Sequence, residues 1–211
     1  MCSPIYHDHS LMPSPGSTVV RDALRVRTSR LHAEVDARMP LSRSQVALPD
    51  YESHLQLMLD WVARLRGLGT LPGELDLMEA ALAADLHLCK RLLGTAGETA
   101  PDQGTPDAGT ARMAPVSHPT RTAHDWGIAY VLQGSRLGNQ VLHKRWAEAL
   151  APHPLAYLRG SGAGTGPAWR AFLAGLALNV TAASEIEDAC DGAAAAFGLL
   201  LESLAPETRA A

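Results

Sequence analysis

The chain has few of the residues that mark several classes of protein. Its three cysteines, Cys2, Cys89 and Cys190, are scattered and form no CxxC pair. Neither a disulfide framework nor a zinc site is therefore predicted, and a reducing cytoplasm is the expected compartment. The net charge of -4 includes no basic run, which argues against nucleic acid as a partner.

Long apolar runs are missing as well. No stretch reaches the length of about 18 apolar residues that a membrane-spanning helix requires, so no span is expected. The N-terminus has no basic segment followed by an apolar core, and no secretory signal is predicted there. These absences favour a cytoplasmic protein.

Aromatic residues are scarce, at 5% of the chain, whereas hydrophobic residues make up 46%. Alanine and leucine carry most of this apolar content, which favours helices over sheets. No segment alternates convincingly between apolar and polar residues. With 211 residues, the chain is long enough for one domain with a full core. The sequence predicts an all-α fold, a single compact bundle of six or seven helices.

Proline and glycine divide the chain. Residues 1–17 are predicted to be a disordered tail, and residues 18–205 a helical domain with a long surface loop over 94–120. The run GSGAGTGP near residue 160 lacks the Lys-Ser/Thr of a phosphate-binding loop, and we interpret 151–167 as a flexible hinge. Periodicity and capping residues predict helices over about 17–39, 50–68, 72–94, 122–150, 168–179 and 182–204.

The predicted helix around residue 135 carries two interior glycines. Gly134 and Gly138 are four residues apart and therefore share a face. Each costs about 1 kcal/mol relative to alanine, so something should come close to the backbone there. Either another helix packs on this notch, or a flat ligand lies against the exposed peptide groups. Ser135 and Asn139 form a polar pair at the same spacing.

The first predicted helix places a histidine beside its apolar stripe. A neutral imidazole at His32 is a suitable iron ligand, and Asp36, one turn later, can accept a hydrogen bond from its other ring nitrogen. A lone histidine in this position is also typical of a core or boundary residue. His54 and Trp61, on the second helix, are interpreted as packing residues. The stripe of the first helix consists of Val20, Leu24, Thr28, Leu31 and Val35.

Two segments together resemble the heme oxygenase family, in particular its bacterial, biliverdin-producing branch that accompanies phytochromes. The first segment, LRVRTSRLHAEVDARMPL, begins at Leu24, and the second, YVLQGSRLGNQVL, begins at Tyr130. The likeness extends through the order and lengths of the helices from about Arg21 to Leu204. The positions that match the family motifs are Leu24, Arg25, Thr28, His32, Tyr130, Val131, Leu132, Gly134, Ser135, Leu137 and Gly138.

The resemblance implies that heme lies between these two helices. It implies that His32 is the axial ligand of the iron, with Asp36 holding its ring, and that Arg25 meets a heme propionate. Gly134, Ser135 and Gly138 would form the catalytic face over the iron. Other interpretations stay open, because Arg25 is also typical of a solvated surface charge, Asp36 of a helix end, and Ser135 of a serine bonded to its own helix.

The implied reaction opens heme to biliverdin and releases CO and iron. It uses O2 and electrons from an external donor protein or small reductant, with a bacteriophytochrome as a possible acceptor of biliverdin. The alternatives are a non-enzymatic heme-binding or carrier protein on the same fold, and a structural bundle whose glycines pack a helix. The chain departs from the family at Gln133, Asn139 and Arg27, and its predicted helix over 168–179 has only Arg170 as a basic residue.

Overall fold

α-Helices account for most of the residues that the computed structural model describes, which are 15–68, 71–94 and 121–205. Most of the predicted tail and nearly all of the predicted loop lie outside these residues. No strand occurs within the three described ranges, and the prediction of an all-α fold is confirmed. The helices of the described chain are α1 (Pro15–Arg38), α2 (Leu48–Arg66), α3 (Pro72–Gly94), α4 (Ala123–Trp146), α5 (Ala156–Arg159), α6 (Thr165–Asn179) and α7 (Ala183–Ser203).

The helix boundaries follow local signals in the sequence. α3 has the predicted bounds, and α1 begins at Pro15, two residues before the predicted start. α4 begins where Thr122 and Asp125 cap each other: the Asp125 backbone N–H donates to Thr122 Oγ1 at 3.1 Å, and the Thr122 N–H donates to Asp125 Oδ2 at 3.0 Å. This reciprocal pair satisfies two donors that the first helical turn would otherwise leave free.

The segment between α4 and α6 is more ordered than the predicted hinge. It contains the four-residue helix α5 and a 3-10 turn at Gly162–Gly164. His153, Leu155, Tyr157 and Leu158 are all buried in it. The hinge interpretation is therefore wrong, because a segment that contributes four buried side chains is part of the core.

The backbones of α4 and α7 come very close where the two helices cross. A Cβ added to Gly127 would come within 1.8 Å of the Ala189 carbonyl oxygen, and one added to Gly192 within 2.1 Å of the His124 carbonyl oxygen. Only glycine permits this spacing at either position. α1 also packs on α7 and on α6, so that α7 supports both α1 and α4 and a cavity remains between them.

A search of the described residues for membrane-spanning helices gave no candidate of sufficient length and hydropathy.

Candidate functional site

A cavity of about 720 Å³ lies between α1 and α4. We call it the central cavity. Its volume falls within the range of about 300–1,000 Å³ that is usual for small-molecule sites. α2 closes its inner end with the buried side chains of His54, Met58 and Trp61. Its apolar walls are formed mainly by Val35, Met39, Leu41, Val131, Leu137, Leu142, Trp169, Phe197 and Leu200.

The glycine pair of α4 faces this cavity. A Cβ added to Gly138 would meet no other atom within 4 Å, and one added to Gly134 would meet only the Trp169 ring, at 4.0 Å. Gly134 and Gly138 therefore do not pack against a neighbouring helix, whereas Gly127 and Gly192 do. Of the two interpretations that the sequence left open, the space above this pair favours a ligand.

His32 lies on the opposite wall, on α1. Its Nδ1 is 2.9 Å from Asp36 Oδ2, and its ring meets the edge of Phe197 at a centroid distance of 5.9 Å. With Nδ1–H donated to the carboxylate, Nε2 carries the lone pair that a metal ligand needs. The side chains of His32 and Asp36 are 63% and 65% exposed. An exposed pair of this kind contributes little to stability, so the fold does not depend on it.

Two arginines stand at different places along the cavity. Arg25, on α1, makes no ion pair within the described part of the chain, and it lies near enough to Tyr130 to influence its pKa. Burial raises the pKa of Tyr130, while Arg21 and Arg25 act in the opposite direction. Arg145, on α4, covers the Trp146 ring at 4.5 Å and donates to the Arg43 carbonyl at 3.2 Å. Of the two arginines that line the cavity in the described part of the chain, Arg25 is thus the one available to meet an anionic group.

Two hydroxyl side chains of the site are bonded to their own helices. Ser135 Oγ donates to the Leu132 carbonyl at 2.9 Å, and Thr28 Oγ1 donates to the Leu24 carbonyl at 2.8 Å. Both residues line the cavity. In this arrangement Ser135 can accept a hydrogen bond from a ligand but has already used its only donor.

Sequence reasoning interpreted His54 as a packing residue and missed that it lines the inner part of the cavity. His54 is 1% exposed, and neither ring nitrogen has a hydrogen-bond partner among the described residues. Leaving such a group unsatisfied costs about 1–3 kcal/mol. Burial lowers the pKa of His54 to about 4, so the ring is neutral at pH 7. Asn139, next to Gly138, is also buried and lines the cavity.

A buried polar network lies behind this inner end. Tyr51 Oη donates to Asp85 Oδ2 at 2.6 Å, and the Tyr157 N–H donates to the same oxygen at 2.9 Å. His153 is paired through both nitrogens, with the Asp85 carbonyl at 3.1 Å and the Leu155 N–H at 3.0 Å. The Tyr157 hydroxyl makes no hydrogen bond of ordinary geometry within the described ranges. Burial raises its pKa to about 12, and the nearby Asn139 side chain acts in the opposite direction. The network joins α2, α3 and α5 without lining the cavity.

Two of the departures from the family pattern have a structural reason. Gln133 points away from the cavity: its Nε2 donates to Glu74 Oε2 at 3.1 Å, and its Oε1 accepts from Arg136 at 3.2 Å. A glutamate there would bring a second carboxylate against Glu74. Arg27 donates to Asp191 of α7 at 2.6 Å on the outer surface. Neither substitution alters the cavity.

Within the described ranges, no cluster of three or more His, Cys, Asp or Glu side chains is placed to hold a metal ion. A heme iron needs only one such protein ligand.

A scan of the chain against protein-family models found no match. A search of curated proteins also found none.

Proposed function

We propose that this protein is a heme oxygenase, which opens heme to biliverdin and releases CO and iron. The observation that carries the proposal is the pairing of His32 with an open glycine face across one apolar cavity. His32 offers a lone pair from α1, while Gly134 and Gly138 leave space on α4. The two motifs that resemble the heme oxygenase family form these two walls.

Heme fits the residues of this cavity. A flat macrocycle needs two apolar walls, and Val35, Phe197 and Leu137 are among those that line them. Its carboxylates need a cation, which Arg25 supplies on the α1 side. Gly138 leaves open the space beside the ring, which any larger side chain at this position would occupy. The chemistry is supplied by the bound heme, which activates O2 with external electrons and is itself oxidised.

Each residue of the chain has a definite part in this proposal. His32 binds the iron, and Asp36 fixes the orientation of its ring through Nδ1. Gly134 and Gly138 keep the opposite face open to a small molecule. Ser135 accepts a hydrogen bond beside them. The electrons come from a donor protein or small reductant, the compartment is the cytoplasm, and a bacteriophytochrome is the proposed acceptor of biliverdin.

The first experiment titrates the purified protein with hemin and records the Soret band. A histidine-ligated spectrum that saturates at one hemin per chain is expected. Ascorbate and oxygen are then added in the presence of catalase, and the heme bands should give way to the absorption of biliverdin. Gly138→Leu provides the matched control, since it should bind hemin but yield little biliverdin.

Two other outcomes separate the alternatives. A protein that binds hemin and keeps it intact under reductant and oxygen would be a heme carrier rather than an oxygenase. If addition of the protein leaves the hemin spectrum unchanged, it is neither an oxygenase nor a heme carrier. The structural bundle is then the interpretation that remains.

A further inference from the structure

Two buried polar side chains, His54 of α2 and Asn139 of α4, line the inner end of the central cavity. Both ring nitrogens of His54 are buried without a partner in the described chain. The Tyr157 ring lies behind His54, outside the cavity lining, at a centroid distance of 6.4 Å, and the Asn139 side chain is near enough to its hydroxyl to lower its pKa. Packing alone does not require a polar ring at this buried position.

We propose that His54, with Asn139 of the same cavity lining, makes the inner end of the central cavity a subsite for a small molecule that both donates and accepts hydrogen bonds. Water is the smallest member of this class and is always available. A neutral imidazole has one donor and one acceptor, and burial keeps His54 neutral at pH 7. A buried water needs two to four polar partners, and the His54 ring and the Asn139 side-chain amide can supply them.

The subsite lies on the α4 side of the cavity. Asn139 is the neighbour of Gly138 in α4, whereas His32 is on α1. If heme binds through His32, as the proposed function holds, the small molecule lies against the opposite face of the ring. His54 is then a positioning residue that orients this molecule over the open glycine face.

The competing interpretation is that His54 only fills space. Its ring stacks on Tyr51 at a centroid distance of 6.3 Å, which a packing residue would also do. His153 provides the matched control, because it is equally buried but has both nitrogens paired. The two histidines should therefore respond differently to replacement by leucine, which has no hydrogen-bonding group.

The first test uses the protein without heme. His153→Leu should lower the melting temperature by roughly 5–10 °C, whereas His54→Leu should leave it within about 2 °C. In the ¹⁵N-histidine NMR spectrum of the wild type, the ring N–H of His54 should show a cross-peak to a long-lived water. An equal loss of stability in both variants, or an N–H of His54 with no water contact, would overturn the proposal.

The second test uses the hemin-loaded protein and fluoride, a small ligand of ferric heme that accepts hydrogen bonds. Fluoride affinity should fall about tenfold in His54→Leu and be largely restored in His54→Gln, because a hydrogen bond to a charged ligand is worth at least that factor. Hemin affinity should change by less than about threefold. Unchanged fluoride affinity in His54→Leu would contradict the positioning role. If the wild type binds no hemin, the proposed function fails, and the tests without heme still decide the subsite.

Discussion

At the scale of single residues, the proposed function depends first on His32. Its Nδ1 is held by Asp36 at 2.9 Å, which directs Nε2 to the ligand role. We expect His32→Ala to lose the histidine-ligated heme spectrum and to recover it on addition of imidazole, which can enter the space left by the ring. Absorption spectroscopy of the hemin-loaded variant measures this.

The control for this experiment is His87→Ala, since His87 is exposed on α3 and does not line the cavity. It should bind hemin with the spectrum of the wild type. A His32→Ala protein with an unaltered spectrum would show that another residue holds the iron.

His54 should make the stability of the heme-free protein dependent on pH. Its pKa falls from 6.5 in the unfolded chain to about 4 in the fold, so the unfolded state binds the proton first. The stability that the fold gains by keeping His54 neutral is therefore complete above pH 6.5 and is lost as the pH falls towards 4. One pH unit corresponds to about 1.4 kcal/mol, and the total loss approaches about 3 kcal/mol.

Thermal melts of the wild type and His54→Leu between pH 7 and pH 4 measure this effect. The melting temperature of the wild type should fall by roughly 6–12 °C more than that of the variant over this range. His87→Leu, which removes an exposed histidine, should behave as the wild type does. Parallel curves for the wild type and His54→Leu would mean that His54 is protonated in the folded protein as readily as in the unfolded chain.

At the scale of helices, the two pairs of glycines have different tasks. Gly138→Leu places a side chain in open space. Leucine is also a better helix former than glycine by about 0.8 kcal/mol. It should fold, bind hemin and lose most biliverdin formation, because the side chain occupies the space beside the ring. Gly127→Ala should instead lose about 1–3 kcal/mol or more, because its Cβ would overlap the Ala189 carbonyl.

Melting temperature and biliverdin yield, measured on both variants, test this division. A Gly138→Leu protein that melts early yet still opens heme would place the ligand on another face of α4.

Much of the helical architecture could be predicted from the sequence because it depends on local signals. The apolar stripe of α1 is buried at Val20, Leu24 and Val35, as its spacing of three and four predicts. The Gly134–Gly138 pair was visible for the same reason. Its interpretation was not, because spacing within one helix does not reveal what lies opposite it. The crossing of α4 and α7 at Gly127 gave no comparable signal.

The inner part of the site could not be predicted for a related reason. His54 follows the packing stripe of α2, and its periodicity is that of a core residue. Its environment depends on where α4 places Asn139 and where α5 places Tyr157, which are contacts between segments far apart in the chain. The burial of His153, Leu155, Tyr157 and Leu158 was missed because proline and glycine in this segment resemble an exposed connection.

At the scale of the whole molecule, α7 is the element on which the site is assembled. α4 and α1 both pack on it, and Phe197 and Leu200 of α7 form the floor between them. α1 and α4 are thus held apart by a shared support rather than by direct packing along their length. A ligand that contacts both walls therefore adds a connection that the fold itself lacks.

This arrangement predicts that heme stabilises the protein unevenly. Free hemin at about 100 times its dissociation constant should raise the free energy of unfolding by about 2.7 kcal/mol, or the melting temperature by roughly 5–11 °C. Hydrogen exchange measured by mass spectrometry should show the strongest added protection in α1 and α4. α3, which contributes no residue to the cavity, serves as the internal control, and His32→Ala should reduce the protection of α1. Equal protection of α3 and α1 would mean that hemin binds elsewhere or stabilises the bundle without joining its two walls.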